Sequence, residues 1–117
     1  MDQKKHRRGA HPPAAAGGWN FRYLDLRAEK GWRELGQQAP GPTRKAYDQI
    51  VKMPRHRSKR QDQLRLVLAT KTIGGVVMEQ WQYEVTGAGR IWYAIDEGSH
   101  TVILTHASIG HPKQTDR

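Results

Sequence analysis

The sequence predicts an α+β fold, in which two N-terminal helices pack on a curved, mainly antiparallel sheet of four to five strands. Apolar residues recur at helical spacing between residues 28 and 53, and they alternate with polar residues from residue 64 onward. Glycine-containing turns separate the alternating runs, and strands joined by short turns pair antiparallel. Helices that precede such a meander cover one face of its sheet, which leaves the other face free.

The length and composition fit one folded domain. A chain of 117 residues can bury a core without disulfides, and this one has no cysteine for a disulfide or a thiolate-bound zinc. Residues 1–18 are poor in apolar anchors and rich in Gly, Pro and Ala, which predicts a disordered basic arm before a domain over residues 19–117. We expect a cytoplasmic protein, because no apolar run reaches transmembrane length and no secretory signal is recognisable.

The first elements follow from a change of period near residue 28. Residues 19–27 alternate as a strand does, and a helical stripe follows that "PGP" at residues 40–42 interrupts. We expect Thr43 to cap a second helix, which ends before Pro54. The in-phase apolar residues are Phe21 and Tyr23 in the strand, Ala28, Trp32, Leu35 and Ala39 in the first helix, and Ala46, Tyr47, Ile50 and Val51 in the second.

The second half of the chain predicts a basic loop followed by strands. Residues 55–63, "RHRSKRQDQ", are too polar to be buried, so we expect a loop there. Four alternating runs follow, with "GG", "TGAG" and "EGSH" as turns. The runs are 63–70 with Leu64, Leu66 and Leu68 in phase, 76–85 with Val77, Trp81, Tyr83 and Val85, 90–96 with Ile91, Tyr93 and Ile95, and 101–108.

Charge indicates the class of partner. Twenty Lys and Arg stand against eleven Asp and Glu, for a formal net charge of +9. Such an excess indicates an anionic partner, namely nucleic acid, an acidic protein or a membrane surface. Nucleic acid is favoured, because the basic residues also cluster in the loop after the second helix.

Arg90 and Trp92 are candidates for the free face of the sheet. They lie out of phase with the apolar residues of their strand, so they should point away from the helices. The planar guanidinium of Arg90 suits a phosphate, and Trp92 could stack on an unpaired base. Alternatively, Arg90 forms a cross-strand ion pair with Glu84 or Glu79, and Trp92 belongs to the core.

Further basic residues flank the predicted strands. Arg65 opens the first run of the meander, and His111 and Lys113 follow the last run. The six histidines include no HxxxH or HxH pair, so the sequence predicts no metal site. It also lacks a Walker motif, a GxGxxG loop and a nucleophile elbow.

The order of these features resembles the RelE/ParE superfamily of bacterial toxins from type II toxin–antitoxin systems. The shared order is a strand, a helix, a "PGP" turn, a second helix, a basic loop, and an antiparallel meander that contains "GRIWYAID" and ends in "HPK". The resemblance covers roughly residues 19–113. Its most specific piece is the "GRIWYAID" strand, followed by a short acidic turn and "VILTHAS".

The resemblance implies a RelE-like fold and a metal-independent endoribonuclease without a cofactor. The RelE-like branch cleaves messenger RNA in the ribosomal A site, where the ribose 2′-OH attacks the adjacent phosphate. One group must take the 2′-OH proton and another must protonate the leaving 5′ oxygen. Cations must stabilise the charge that develops on the phosphate.

The resemblance also assigns roles to residues. Arg90 matches a strand arginine that acts on the phosphate, and His111 matches an acid–base histidine just past the last strand of YoeB-like members. Arg65 looks like the arginine that opens the next strand in RelE, and Lys59 lies in the loop that supplies the remaining catalytic groups. The expected RNA-binding residues are Arg55, Arg57, Arg60, Trp92 and Lys113.

The chain departs from the family pattern at two places. No tyrosine follows His111, which is followed by Pro112 and Lys113, and the basic loop has no glutamate, Asp62 being its nearest acid. The general base stays open between His111 and Lys59.

Two alternatives to a nuclease stay open. A ParE-like protein would poison DNA gyrase by protein binding, and a non-catalytic module would bind RNA without cleaving it. The toxin interpretation implies an acidic cognate antitoxin, the ribosome and mRNA as partners, and no membrane. It implies contact with operator DNA only through the antitoxin complex.

Overall fold

The computed structural model describes residues 18–110, which form an α+β structure with two helices and a six-stranded sheet. Apart from Gly18, the predicted arm over residues 1–18 lies outside the described residues, as do His111, Pro112 and Lys113. The elements, in chain order, are β1 (Asn20–Tyr23), α1 (Leu26–Gln38), α2 (Pro40–Lys52), β2 (Gln61–Gln63), a 3₁₀ turn (Leu66–Ala69), β3 (Thr70–Ile73), β4 (Val76–Glu84), β5 (Arg90–Asp96) and β6 (Thr101–Ser108).

The sheet is mixed and has the order β1-β6-β5-β4-β2, with β3 paired to β4 on the same edge as β2. The meander prediction is confirmed for β4, β5 and β6, which pair antiparallel in sequence. β1 lies parallel to β6, with Phe21 opposite Val102. The described sheet therefore has six strands, rather than four to five, because the predicted run over residues 63–70 is replaced by two short strands.

The helices begin and end for local reasons. The Asp25 side chain accepts a hydrogen bond from the Ala28 amide at 2.9 Å and caps α1. Ala39 alone separates α1 from α2, which starts with Pro40, where the missing amide proton costs nothing. The expected cap role of Thr43 is wrong. Its hydroxyl lies inside α2 and donates to the Leu35 carbonyl at 3.2 Å, so it ties the two helices together.

The core lies between the helices and one face of the sheet. The predicted stripes are confirmed except at Ala39, which is half-buried and separates the two helices. Ala28, Trp32, Leu35, Ala46, Tyr47, Ile50 and Val51 are all buried there, with Phe21, Trp81, Tyr83, Val85, Ile91, Tyr93, Ile95, Val102 and Leu104 from the strands. The helix α1 packs closely on β6 at Gly31, where a Cβ atom would lie 2.2 Å from the Ala107 carbonyl oxygen. Among residues 18–110, no α-helix covers the other face of the sheet, which carries a smaller buried cluster of Met78, Ala94 and Ile103; we call it the helix-free face.

The predicted strand over residues 63–70 is wrong. Leu66 begins a 3₁₀ turn with φ of 56°, a left-handed conformation that a strand cannot contain. Two glutamine amides replace the lost ladder bonds, from Gln63 to the Ala69 carbonyl and from Gln80 to the Leu68 carbonyl, each at 3.0 Å. Leu66 is therefore 90% exposed rather than part of the core.

Two smaller expectations also fail. Val77 shares a strand face with Trp81 but is exposed, because β4 extends beyond the part of the sheet that the core covers. The predicted polar loop over residues 55–63 ends at Arg60. Gln61 is buried, and its amide donates to the Met53 carbonyl at 3.0 Å and to the Tyr93 hydroxyl at 2.9 Å.

Among residues 18–110, neither helix has the length and apolar character needed to cross a membrane.

Candidate nucleic-acid interface

Two register rows of polar side chains cross the helix-free face. Residues directly opposite each other in paired strands share a face, so each row brings together residues from distant parts of the chain. The first row contains Arg60, Glu84, Arg90 and Ser108, and the second contains Asp62, Gln82, Trp92 and His106. We call these eight residues the polar patch.

Arg90 lies on the helix-free face, as predicted. Its Nη1 atom is 3.0 Å from a carboxylate oxygen of Glu84, so of the two ion-pair partners considered from the sequence, Glu84 is the one found. Glu79 pairs instead with Arg55. The side chain of Arg90 is 38% exposed, and within residues 18–110 the guanidinium makes no hydrogen bond of normal geometry. The ion pair therefore positions Arg90 and leaves N–H donors for a ligand.

Trp92 lies beside Arg90 on β5 and is half-buried, so it is not part of the core. Its indole N–H donates to Oε1 of Gln82 on β4 at 2.9 Å, which fixes the orientation of the ring. The ring contacts His106 of β6, with centroids 4.9 Å apart and planes tilted by 47°. A fixed, partly exposed indole is a surface on which an unpaired base can stack.

The sequence analysis missed three members of the polar patch, namely His106, Gln82 and Ser108. A β-bulge changes the register, because Tyr93 lies opposite Leu104 whereas Trp92 lies opposite His106, which leaves Thr105 as the extra residue. Without the bulge, His106 would lie on the face of the sheet that packs against the helices. Burial among its neighbours lowers the pKa of His106 below its ordinary value of 6.5, which favours the neutral imidazole at neutral pH.

The basic loop divides into residues with and without internal partners. The Arg60 guanidinium donates to the Glu84 carbonyl at 3.0 Å and reaches the polar patch. Arg57 pairs with Asp62 and lies 4.9 Å from the centroid of the Trp81 ring, around the β2 edge. The Arg55 side chain bridges Glu79 at 3.0 Å and Glu97 at 2.8 Å. Arg55 is therefore a structural cation in this fold.

The remaining predicted residues lie apart from Arg90 or outside the described residues. Lys59 is exposed beside Arg60 and has no ion pair within residues 18–110. Arg65 precedes the 3₁₀ turn, where the Leu64 amide bonds the Gln80 carbonyl. Gln80 and Glu84 are four positions apart on β4, about 13 Å at the usual rise of a strand. The structure does not bring Arg65 into the Arg90 row, and His111 and Lys113 are outside residues 18–110.

The described residues contain no cluster of three or more His, Cys, Asp or Glu side chains that could hold a metal ion. The side chains of the polar patch are two guanidinium groups, two carboxylates, an amide, an indole, an imidazole and a hydroxyl. Comparison with known proteins gives no family: neither a protein-family model nor a curated protein matches this chain.

Proposed function

We propose that this protein is the toxin of a type II toxin–antitoxin system, with a RelE-like fold, and that it is an endoribonuclease that cleaves ribosome-bound mRNA without a metal. The observation that carries the proposal is the polar patch, which groups Arg60, Arg90, Trp92 and His106 on a sheet face that no described helix covers. The order of strand, two helices, basic loop and meander supports the same proposal, because the resemblance implies that order.

The patch fits a single-stranded RNA segment. Glu84 holds the Nη1 end of the Arg90 guanidinium, so the remaining donors are oriented before a phosphate arrives, which lowers the cost of binding. The fixed indole of Trp92 offers a stacking surface one register position away. Lys59, exposed beside the patch, adds a positive charge on the path of the RNA backbone.

The proposed reaction is a transesterification within the RNA. The 2′ oxygen forms a bond to the adjacent phosphorus while the bond from phosphorus to the 5′ oxygen breaks, which gives a 2′,3′-cyclic phosphate and a 5′-hydroxyl. A base takes the 2′-OH proton, and the leaving 5′ oxygen gains a proton. Arg90 binds the non-bridging oxygens and stabilises the negative charge that develops there.

The first prediction is that Arg90→Ala strongly weakens the cutting of cellular mRNA. Induced wild-type protein should give discrete cuts within translated regions in primer extension. Arg90→Ala should lower cut intensity about 100-fold, because a cation that stabilises the transition state is removed. Arg44→Ala is the matched control, since Arg44 is an exposed arginine on α2 that pairs only with Asp48 at 3.0 Å among the described residues.

Each other outcome identifies a different function. Growth arrest by the wild type without cuts would contradict the nuclease and favour a ParE-like gyrase inhibitor. A wild type that shows no toxicity and no cuts would favour a non-catalytic RNA-binding module. Equal cutting by the Arg90→Ala and Arg44→Ala variants would keep the nuclease and remove Arg90 from its site.

The proposal also concerns partners. A basic protein with a net charge of +9 should be neutralised by an acidic antitoxin, whose disordered segment would fold on the toxin. The complex, rather than the toxin alone, would contact operator DNA.

A further inference from the structure

The ring nitrogens of His106 are available to accept a proton. Neither ring nitrogen makes a hydrogen bond or ion pair within residues 18–110, and the ring is only partly covered by its neighbours on the helix-free face. The imidazole ring packs against the Trp92 ring, with the two planes tilted by 47°. A neutral imidazole held in this way has one nitrogen lone pair available to a ligand that binds across the patch.

The position of His106 relative to Arg90 matches the two demands of the proposed reaction. Arg90 and His106 lie in adjacent rows on neighbouring strands, diagonal to each other across the pair Trp92 and Ser108. Diagonal neighbours in a sheet are about 7–8 Å apart at their Cα atoms, within reach of long side chains. One nucleotide can therefore present its phosphate to the arginine and its 2′-OH to the imidazole.

We propose that His106 is the general base of the nuclease, which takes the proton from the attacking 2′-OH. This inference rests on the proposed function of the same site. The bond from the 2′ oxygen to phosphorus forms, the bond to the 5′ oxygen breaks, and the leaving oxygen takes a proton from water. The imidazolium then returns its proton to solvent, so the enzyme is regenerated without a cofactor.

The surroundings of His106 favour a neutral ring in the resting protein. Burial is the cause that lowers its pKa. The acids nearest in the patch are engaged, Glu84 with Arg90 and Asp62 with Arg57, so neither is free to stabilise an imidazolium. The charged groups on the helix-free face of the strands are Arg22 on β1, Arg60 and Asp62 at β2, Lys71 on β3, Glu84 on β4, and Arg90 and Asp96 on β5.

The test uses single-turnover cleavage of mRNA on purified bacterial ribosomes, measured across pH. The wild-type rate should rise with pH to an inflection below 6.5 and then level off, since only the neutral ring accepts a proton. His106→Gln should cut about 100-fold more slowly, lose that inflection, and bind ribosomes as tightly as the wild type. His100→Gln, which changes an exposed histidine of the β5–β6 turn away from the polar patch, should keep the wild-type rate and profile.

The outcomes separate the two levels of the proposal. A wild type that cuts no mRNA overturns the nuclease and His106 together. A wild type that cuts, with a His106→Gln variant of equal rate and unchanged inflection, overturns His106 alone. If the inflection disappears in His111→Gln instead, His111 is the base. Thermal unfolding of each variant is measured alongside. If His106→Gln does not fold, a His106→Asn variant with unchanged melting temperature replaces it.

Discussion

At the scale of single residues, one buried hydroxyl joins three parts of the chain. Tyr93 is fully buried on β5, where burial raises its pKa well above the ordinary value, so the phenol stays neutral. Its hydroxyl donates to the Pro54 carbonyl at 2.8 Å and accepts from the Gln61 amide at 2.9 Å. The end of α2, the start of β2 and the centre of the sheet therefore meet at one oxygen atom.

We expect Tyr93→Phe to destabilise the protein by about 1–2 kcal/mol, because it leaves a buried carbonyl and a buried amide with fewer partners. Urea unfolding followed by tryptophan fluorescence measures the change. Tyr83→Phe is the matched control: Tyr83 is also buried, but its hydroxyl has no hydrogen bond within residues 18–110. The control should differ from the wild type by less than about 0.5 kcal/mol. Equal losses in both variants would contradict the role of the Tyr93 hydroxyl.

At the scale of elements, the packing of α1 on β6 depends on a glycine that helix propensity alone would disfavour. Gly31 lies where a Cβ atom would meet the Ala107 carbonyl oxygen at 2.2 Å, which is backbone and cannot move aside cheaply. Gly36, five residues later in the same helix, has open space, with Thr43 Cγ2 at 4.0 Å as the nearest atom.

The same substitution should therefore have opposite signs at these two positions. Gly31→Ala should cost about 1–3 kcal/mol, because overpacking forces the helix away from the sheet. Gly36→Ala should gain about 0.5–1 kcal/mol from the better helix propensity of alanine. Thermal unfolding of the two variants tests both signs, and stabilisation by Gly31→Ala would show that α1 does not approach β6 this closely.

The elements also show where sequence patterns were sufficient and where they failed. Periodicity alone placed Trp32, Leu35 and Ile50 in the core and Arg90 outside it, because regular helices and strands repeat at fixed intervals. It failed at Leu66, where a left-handed residue ends the alternation. Periodicity also gives no sign of His106, where a bulge inserts one residue and exchanges the two faces. Neither event depends on a local sequence signal, since both are settled by pairing with distant β4 and β5.

At the scale of the whole molecule, one cluster of charges fastens the end of the sheet that lies away from the polar patch. Arg55, in the loop after α2, contacts Glu79 of β4 at 3.0 Å and Glu97 of the β5–β6 turn at 2.8 Å. The indole N–H of Trp81 also donates to Glu79 at 3.0 Å. The loop after α2, strand β4 and the β5–β6 turn are therefore connected through two carboxylates, one of which lies at the border of the core.

The final prediction concerns how this cluster makes stability depend on pH. Burial alone would raise the pKa of Glu79, but hydrogen bonds from Trp81 and Arg55, with the charges of Arg55 and Arg57, outweigh it and lower that pKa below 4.5. A carboxyl group with a lowered pKa binds its proton less readily in the folded state than in the unfolded chain. Its contribution to stability is therefore complete above pH 4.5 and is lost as the pH falls through the lowered pKa.

Glu79→Gln should thus be less stable than the wild type at neutral pH, and the difference should shrink as the pH falls below 4.5, because protonated Glu79 resembles glutamine. Melting temperatures of both proteins at a series of pH values give the two curves. Glu34→Gln changes an exposed acid of α1 without an ion pair in the described residues and controls for net charge. If the Glu79→Gln difference stays constant with pH, the carboxylate of Glu79 does not fasten this end of the sheet, and the acid sensitivity of the fold has another origin.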